Sequence, residues 1–420
     1  MANDTPEPNS GISQADRERF MPSAHQLAAA PHRLLFFVGA LNVLAAMAWW
    51  TWWLLCTSIP GATTPATVVP AFWAHAFLMQ YHVLPPFIFG FLLTVFPRWM
   101  GMSDLARTRY LPVGIGLLCG QILFLVGLST SLSLIKIAVL ATLTGWTYGA
   151  LVLISLLIRD RLKTWHAASC GAALLFGWLG VALFAGYLFL QDVEWLYASI
   201  KIGTFALLLP IYFTVAHRMF PFFAGNVVLG YVSWRPLWLL IPFWVLALVH
   251  AGLEFAHLYA WLWPIDTVWL GLCSFWLWRI WPRKKGPALL RVLFLGTLWL
   301  PIALALYAIQ SLWFVYSDVI ELGRAPAHAL YIGFFGSLLV AMVTRVTQGH
   351  SGRPLELGWP AKFAFALLQL VVLIRIAAEF APDLFRWQAI AAIGWLVAFF
   401  PWVIRSAWIY ATPRADRRPG

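Results

Sequence analysis

Histidines are the residues of this chain best suited to chemistry, because 62% of its 420 residues are hydrophobic and only 10% are charged. His75 and His82 are seven residues apart, and His250 and His257 repeat that spacing with Glu254 between them. On an α-helix, a separation of about seven residues returns to within about 20° of the starting direction, so each pair should share one face. Imidazole is the usual protein ligand of haem iron and also binds copper well. The spacing predicts a cofactor site, in which Glu254 orients a ligating histidine or carries protons.

The elements that must position these residues are membrane-spanning helices. A bilayer core requires roughly 20 apolar residues per helix, and continuous apolar runs recur from Leu34 almost to the C-terminus. Strands of membrane barrels alternate apolar and polar residues, so the continuous runs indicate helices. We therefore predict an all-α, polytopic membrane helical bundle of about twelve transmembrane helices. They lie near residues 34–56, 72–96, 111–129, 133–158, 165–190, 198–217, 236–256, 259–279, 289–312, 327–344, 360–380 and 387–409.

Basic residues gather in every second predicted loop, which gives the bundle an orientation. The intervening loops carry only Arg324 and Arg386. Under the positive-inside rule both termini are cytoplasmic, and the net charge of +12 reflects membrane topology rather than nucleic-acid binding. We predict a disordered cytoplasmic tail at 1–32, a twelve-helix domain at 33–410 and a second cytoplasmic tail at 411–420. No internal repeat is visible. The loops after helices 2, 4, 6, 8 and 10 carry Arg98, Arg107, Arg109, Arg159, Arg161, Lys163, Arg218, Arg235, Arg283, Lys284, Lys285, Arg345 and Arg353.

This orientation places half of the ten histidines in the non-cytoplasmic half of the bilayer. Ionisable side chains within membrane spans are rare and usually functional, so we predict that this group binds haem iron or copper. The alternative is structural, because a membrane histidine can simply bond a neighbouring carbonyl. The predicted metal ligands are His75, His82, His250, His257 and His328.

Two stretches at the cytoplasmic helix ends offer hydrogen-bond donors to an anion such as a haem propionate. They contain His217 with Arg218, and His350 with Arg353. The alternative for both arginines is that they only follow the positive-inside rule.

Other charged residues in the helices have structural interpretations. Arg375 and Glu379 are four residues apart and should form a local ion pair. Lys136 and Lys201, near outer helix ends, should snorkel to the membrane interface.

Several short stretches spread through most of the chain point to one family. They are PHRLLFF at 31–37, HAFLM at 75–79, GFLLT at 90–94, PRW at 97–99, HRMFPFF at 217–223, HAL at 328–330, TR at 344–345 and GHSGRP at 349–354. Together they resemble the NnrS family of bacterial membrane proteins linked to nitric oxide and nitrosative stress. In many members the motif in helix 2 reads His-Ala-His-Glu-Met, whereas Phe77 and Leu78 replace its second histidine and its glutamate here.

The resemblance implies haem and copper as cofactors and a multi-pass protein of the bacterial cytoplasmic (inner) membrane. The predicted function is to bind, or help detoxify, nitric oxide or its iron complexes. The expected partners are membrane lipid and an unidentified redox partner, and no nucleic acid is expected to bind. One alternative is a proton- or metal-coupled membrane transporter. A second is a haem–copper-type oxidoreductase, although the chain has no His-Pro-Glu-Val run and no defined catalytic motif.

Overall fold

The computed structural model describes residues 22–416, which form helices and no strand. A short turn of helix at Ala24–Leu27 precedes twelve long helices in this part of the chain. The predicted all-α bundle is therefore confirmed. The helices are α1 (Pro31–Ser58), α2 (Ala71–Trp99), α3 (Leu111–Leu128), α4 (Leu132–Arg159), α5 (Trp165–Leu190), α6 (Val193–Val227), α7 (Leu237–Phe255), α8 (Leu262–Ile280), α9 (Ala288–Ser317), α10 (Ala325–His350), α11 (Trp359–Phe380) and α12 (Leu384–Ala411).

Eleven of these described helices are long and apolar enough to cross a membrane. The remaining one, α8, has 19 residues but carries Asp266, Arg279 and four tryptophans. Most of the predicted N-terminal tail (1–21) and the end of the C-terminal tail (417–420) lie outside the described residues.

Two predicted helix ends are wrong. The predicted sixth helix ends at 217 and the tenth at 344, whereas α6 runs to Val227 and α10 to His350. Polar residues suggested an end in both places. The bundle instead accommodates them inside the helices, because His217 is fully buried and the Arg218 guanidinium lies over the Trp99 ring at 4.4 Å.

Three helices form the centre of the described bundle. The most apolar stretch is 94% buried in α2, 78% in α10 and 67% in α6, the highest values among the spans, followed by α1 at 61%. The other described helices surround this centre, with α3 against α4, α4 against α5, α7 against α8, α8 against α9, α11 against α12, and α12 back against α1. Residues on α2, α6 and α10 are therefore the ones that the fold brings together away from lipid.

Each central helix contains a π-helical segment. The segments are Leu78–Val83 in α2, Ile202–Leu208 in α6 and Ala329–Gly336 in α10. Such segments are rare and occur frequently at functional sites. They recur in every fourth helix, although no repeat is visible in the sequence. A π-turn needs one additional residue per turn and no particular residue type, so the architecture can repeat without a repeated motif.

A side chain from α1 supplies a hydrogen bond that the backbone of α2 lacks. Pro85 and Pro86 lack an N–H group, so the carbonyl of His82, four residues before Pro86, loses its ordinary helical donor. Asn42 Nδ2 donates to that carbonyl at 2.6 Å. This hydrogen bond fixes α1 against the distorted part of α2, next to the cavity described below.

Candidate functional site

A cavity of about 580 Å³ lies among the central helices. Its size falls within the range of about 300–1,000 Å³ that is usual for small-molecule and cofactor sites. Residues from α1, α2, α6, α7, α9, α10, α11 and α12 line it. Among these residues are the histidines His75 and His328, three basic side chains and several aromatic rings.

The two histidines of the cavity come from different central helices. His75, on α2, stacks on Trp50 with ring centroids 4.4 Å apart and an angle of 13° between the planes. Its Nδ1 is buried and has no hydrogen-bond partner among residues 22–416. His328, on α10, has Nδ1 2.9 Å from the carbonyl oxygen of Arg324. Because a carbonyl only accepts, Nδ1 carries the proton and Nε2 of His328 keeps its lone pair for a ligand.

The cavity has more basic than acidic side chains. Arg375 forms the predicted ion pair with Glu379 at 2.6 Å. The prediction that Lys201 snorkels to the interface is wrong, because its Nζ lies 2.7 Å from Glu254 Oε2 at the cavity. The third base, Arg324, packs over the Phe72 ring at 5.3 Å and has no ion-pair partner within the described chain. An anionic ligand would therefore find an uncompensated guanidinium here.

Neutral polar groups complete the lining. Gln80 Nε2 donates to Tyr331 Oη at 2.6 Å and to Thr204 Oγ1 at 3.0 Å, which ties α2 to α10 and α6. In the loop after α7, burial and the hydrogen bond with Tyr197 raise the pKa of Tyr259, so its phenol stays neutral.

The prediction that His75 and His82 share one face is wrong. The π-helical segment Leu78–Val83 begins three residues after His75 and contains His82, and the additional residue of a π-turn rotates the helix face that follows by roughly 100°. His82 is therefore fully buried away from the cavity, where Nε2 lies 2.8 Å from Thr142 Oγ1 on α4. Thr142 already donates to the carbonyl of Ala138, so His82 Nε2 is the donor of this bond.

The prediction that His250 and His257 share one helix face is also wrong. Because α7 ends at Phe255 and His257 has a positive φ of 55°, His257 leaves the helix and becomes exposed, with its ring stacked on Tyr197. His250 remains fully buried beside the cavity. Its Nδ1 lies 2.6 Å from Asp266 Oδ1, and its Nε2 lies 3.8 Å from Glu254 Oε2.

The predicted residues at the helix ends that the sequence assigns to the cytoplasmic side are far from the cavity. His350 is 22 residues after His328 on α10, which corresponds to about 33 Å at the helical rise of about 1.5 Å per residue. Its ring lies 4.4 Å from that of His32, and His217 Nδ1 lies 3.0 Å from His166 Nε2. Arg353 follows α10 in the loop after it.

Arg218 and Arg353 are therefore too far away to contact a ligand in the cavity. The arginines that line the cavity are Arg324 and Arg375. No three His, Cys, Asp or Glu side chains within residues 22–416 converge as a metal site, so the five predicted ligands do not form one cluster.

Reasoning from the sequence missed Asp266. It is fully buried on α8 and holds His250. A signal was available, because an acidic residue within a predicted membrane helix is itself unusual. Its partner was not predictable, because the 16-residue separation between His250 and Asp266 includes a loop, and helical periodicity cannot relate side chains on two different helices.

Comparison with known proteins gives one result for nearly the whole chain. Residues 26–414 match the family described as NnrS protein. No curated protein matches the chain.

Proposed function

Because this chain belongs to the NnrS family, whose members are membrane proteins of the nitric oxide response, we propose that it binds haem in the cavity and there binds nitric oxide or its iron complexes. The observation that carries this proposal is His328, whose Nδ1 donates to the Arg324 carbonyl at the edge of a large cavity. Ligating histidines commonly hold their second ring nitrogen in this way, which fixes the ring and raises the basicity of the other nitrogen.

The residues of the cavity fit a flat, anionic cofactor. His75 and His328 supply two imidazoles, and His75 has a buried Nδ1 without a partner in the described chain. Trp50 and Trp395 supply flat apolar surface. Arg324 and Arg375 would pair with the propionate groups, since guanidinium binds carboxylates in a two-pronged geometry.

Each side chain has a definite task in this proposal. His75 and His328 are the candidate residues to hold the haem iron, and a bound haem would supply an iron atom that takes up nitric oxide. The stacking of Trp50 on His75 holds that ring in one orientation. Gln80, Thr204 and Tyr331 fix the spacing of the central helices through the hydrogen bonds that join them.

Copper does not fit the described residues in the same way. Within residues 22–416 no three His, Cys, Asp or Glu side chains are arranged so that they could hold a metal ion. We therefore assign no copper ligands and derive no step from copper.

The test is visible spectroscopy of the purified full-length protein, produced with haem supplied, together with haem and metal analysis. We expect a Soret band that shifts on addition of nitric oxide. His75→Ala and His328→Ala should each abolish or shift the band, because each removes a candidate ligand. His257→Ala is the matched control, since this exposed imidazole lies outside the cavity and its loss should leave the spectrum unchanged.

Two results would contradict the proposal. Absence of a Soret band in the unaltered protein would reject haem and leave a proton- or metal-coupled transporter as the better explanation. A normal spectrum in both His75→Ala and His328→Ala would reject this cavity as the haem site. Size-exclusion profiles of all variants show whether any loss of colour follows from misfolding.

A further inference from the structure

Four ionisable side chains meet at the interface of α6, α7 and α8. Asp266 and His250 have no exposed surface, and Glu254 is only 6% exposed. Lys201 completes the group through its ion pair with Glu254 at 2.7 Å. Ionisable groups inside a membrane bundle are costly to bury and are usually retained for function. The cavity ligands proposed above do not include any of the four.

The four groups form a line that begins at the cavity and ends inside the bundle. Lys201 and Glu254 line the cavity, and His250 and Asp266 lie behind them. His250 Nδ1 lies 2.6 Å from Asp266 Oδ1, so Nδ1 donates to the carboxylate. In neutral His250 the lone pair is then on Nε2, which faces Glu254 Oε2 at 3.8 Å and has no hydrogen-bond partner in the part of the chain that the structure describes.

Aromatic rings enclose His250 on its other sides. Phe205 of α6 lies 4.1 Å from the imidazole, Tyr307 of α9 lies 5.1 Å away and Trp269 of α8 lies 6.0 Å away, measured between ring centroids. The other ionisable groups that face this cluster are phenols: Tyr307 and, also at the cavity, Tyr197, Tyr259 and Tyr331. Tyr197 donates to the backbone carbonyl of Glu254 at 3.1 Å. Glu254 is therefore the carboxyl group that stands between His250 and the cavity.

We propose that Glu254, His250 and Asp266 form a proton relay that stores a proton beside the cavity and exchanges it with the cavity. In the forward step, the O–H bond of protonated Glu254 breaks and an N–H bond forms at Nε2 of His250. The reverse step returns the proton to Glu254. No electron is transferred and no other reactant is needed. The separation of 3.8 Å is too long for a hydrogen bond, so a small rotation of the Glu254 side chain precedes each transfer.

The charges explain why this transfer is feasible in a low-dielectric interior. When the transferred proton is on Glu254, that carboxyl and the His250 ring carry no charge, and the charges that remain are those of Lys201 and Asp266. After the transfer, Lys201 pairs with the Glu254 carboxylate and Asp266 pairs with the His250 imidazolium. The sum is zero in both states, so the proton moves without creating an uncompensated buried charge. The relay does not depend on whether haem occupies the cavity.

The test measures how fast His250 gains a proton in the full-length protein in lipid vesicles. A rapid pH jump is followed by time-resolved infrared spectroscopy with isotope-labelled histidine, and a His250→Gln variant assigns the His250 bands. Glu254→Gln, which is nearly isosteric, should slow protonation of His250 by about a hundredfold, a typical effect of removing a positioned proton-transfer group. Glu254→Asp should restore much of the rate.

Glu379→Gln is the matched control. Glu379 is also a carboxylate with a basic partner, because it pairs with Arg375 at 2.6 Å, but it does not contact His250. Its replacement should leave the rate unchanged. An unchanged rate in Glu254→Gln would overturn the relay. The same holds if His250 keeps one protonation state from about pH 5 to about pH 8, where imidazole ordinarily titrates, since the cluster would then be a static ion pair.

The outcome is separable from that of the haem proposal. A protein without a Soret band but with Glu254-dependent protonation of His250 would reject only haem. A protein with a Soret band and Glu254-independent protonation would reject only the relay.

Discussion

The hydrogen-bond partners of each imidazole decide what that histidine can bind. His328 donates from Nδ1 to a carbonyl, and its other nitrogen remains available at the cavity. His82 donates from Nε2 to Thr142, its ring packs edge-on against Phe77 of α2 and Phe124 of α3, and its buried Nδ1 does not face the cavity lining. The first is suited to a ligand, whereas the second holds α2 against α4.

Thr142→Val tests the structural role of His82. Valine keeps the shape of threonine but removes the acceptor, so the buried Nε2–H of His82 loses its partner. We expect the free energy of unfolding to fall by about 1–3 kcal/mol, measured as thermal unfolding in detergent, with an unchanged Soret band. Thr142→Ser keeps the hydroxyl and should lose less stability. Loss of the Soret band in Thr142→Val would instead indicate that His82 supports the cofactor.

Close packing of α3 against α4 is the clearest interaction between two elements. Each helix carries a Gly-x-x-x-Gly motif, Gly116 with Gly120 and Gly145 with Gly149. A Cβ on Gly116 would lie 2.6 Å from Gly145 Cα, and one on Gly145 would lie 2.9 Å from Gly116 Cα. Small residues at such contacts allow helix backbones to approach closely in membranes. This contact secures α4, the outer helix that carries Thr142.

Gly116→Ala and Gly145→Ala should both destabilise the protein. The added methyl group meets backbone, which cannot rotate away, so the helices must separate. The expected loss is about 1–3 kcal/mol, as for other overpacked contacts, and thermal unfolding measures it. Gly252→Ala on α7 is the matched control, because nothing lies within 4 Å of the added Cβ. Equal melting temperatures for all three variants would contradict this account.

At the scale of the whole molecule, three central helices with π-helical segments place the cavity. Each π-segment begins close after a cavity residue: His75 precedes Leu78–Val83, Lys201 precedes Ile202–Leu208, and His328 precedes Ala329–Gly336. A π-turn changes the direction of the helix face that follows it. The three turns therefore allow polar side chains to face the cavity while the next residues of the same helices pack in the apolar core.

The predicted orientation, with both termini in the cytoplasm, can be tested by labelling intact cells. In a background without the four native cysteines, Glu194→Cys, in the exposed first turn of α6, should react with a membrane-impermeant maleimide. Lys284→Cys, exposed in the loop after α8, should react only after the cells are opened. The reason is the positive-inside rule, since Arg283, Lys284 and Lys285 share that loop. The reverse pattern would invert the bundle and the side from which the cavity is reached.

The sequence by itself determined the membrane bundle, the twelve long helices of residues 22–416 and the Arg375–Glu379 pair, because these depend on local hydrophobicity and on spacing within one helix. The resemblance in short motifs also indicated the family that residues 26–414 match. Helical periodicity failed for His75 and His82, since a π-turn shifts the phase and has no residue signature.

Only the tertiary structure decided which ionisable groups meet. The contacts of His250 with Asp266 and of Lys201 with Glu254 join residues from different helices, whose relative rotation depends on the packing of the whole bundle. Packing also brought Arg324 to the cavity and carried His257 out of α7 to the surface. Spacing along one chain fixes directions within one helix, whereas a binding site requires several helices to be oriented together.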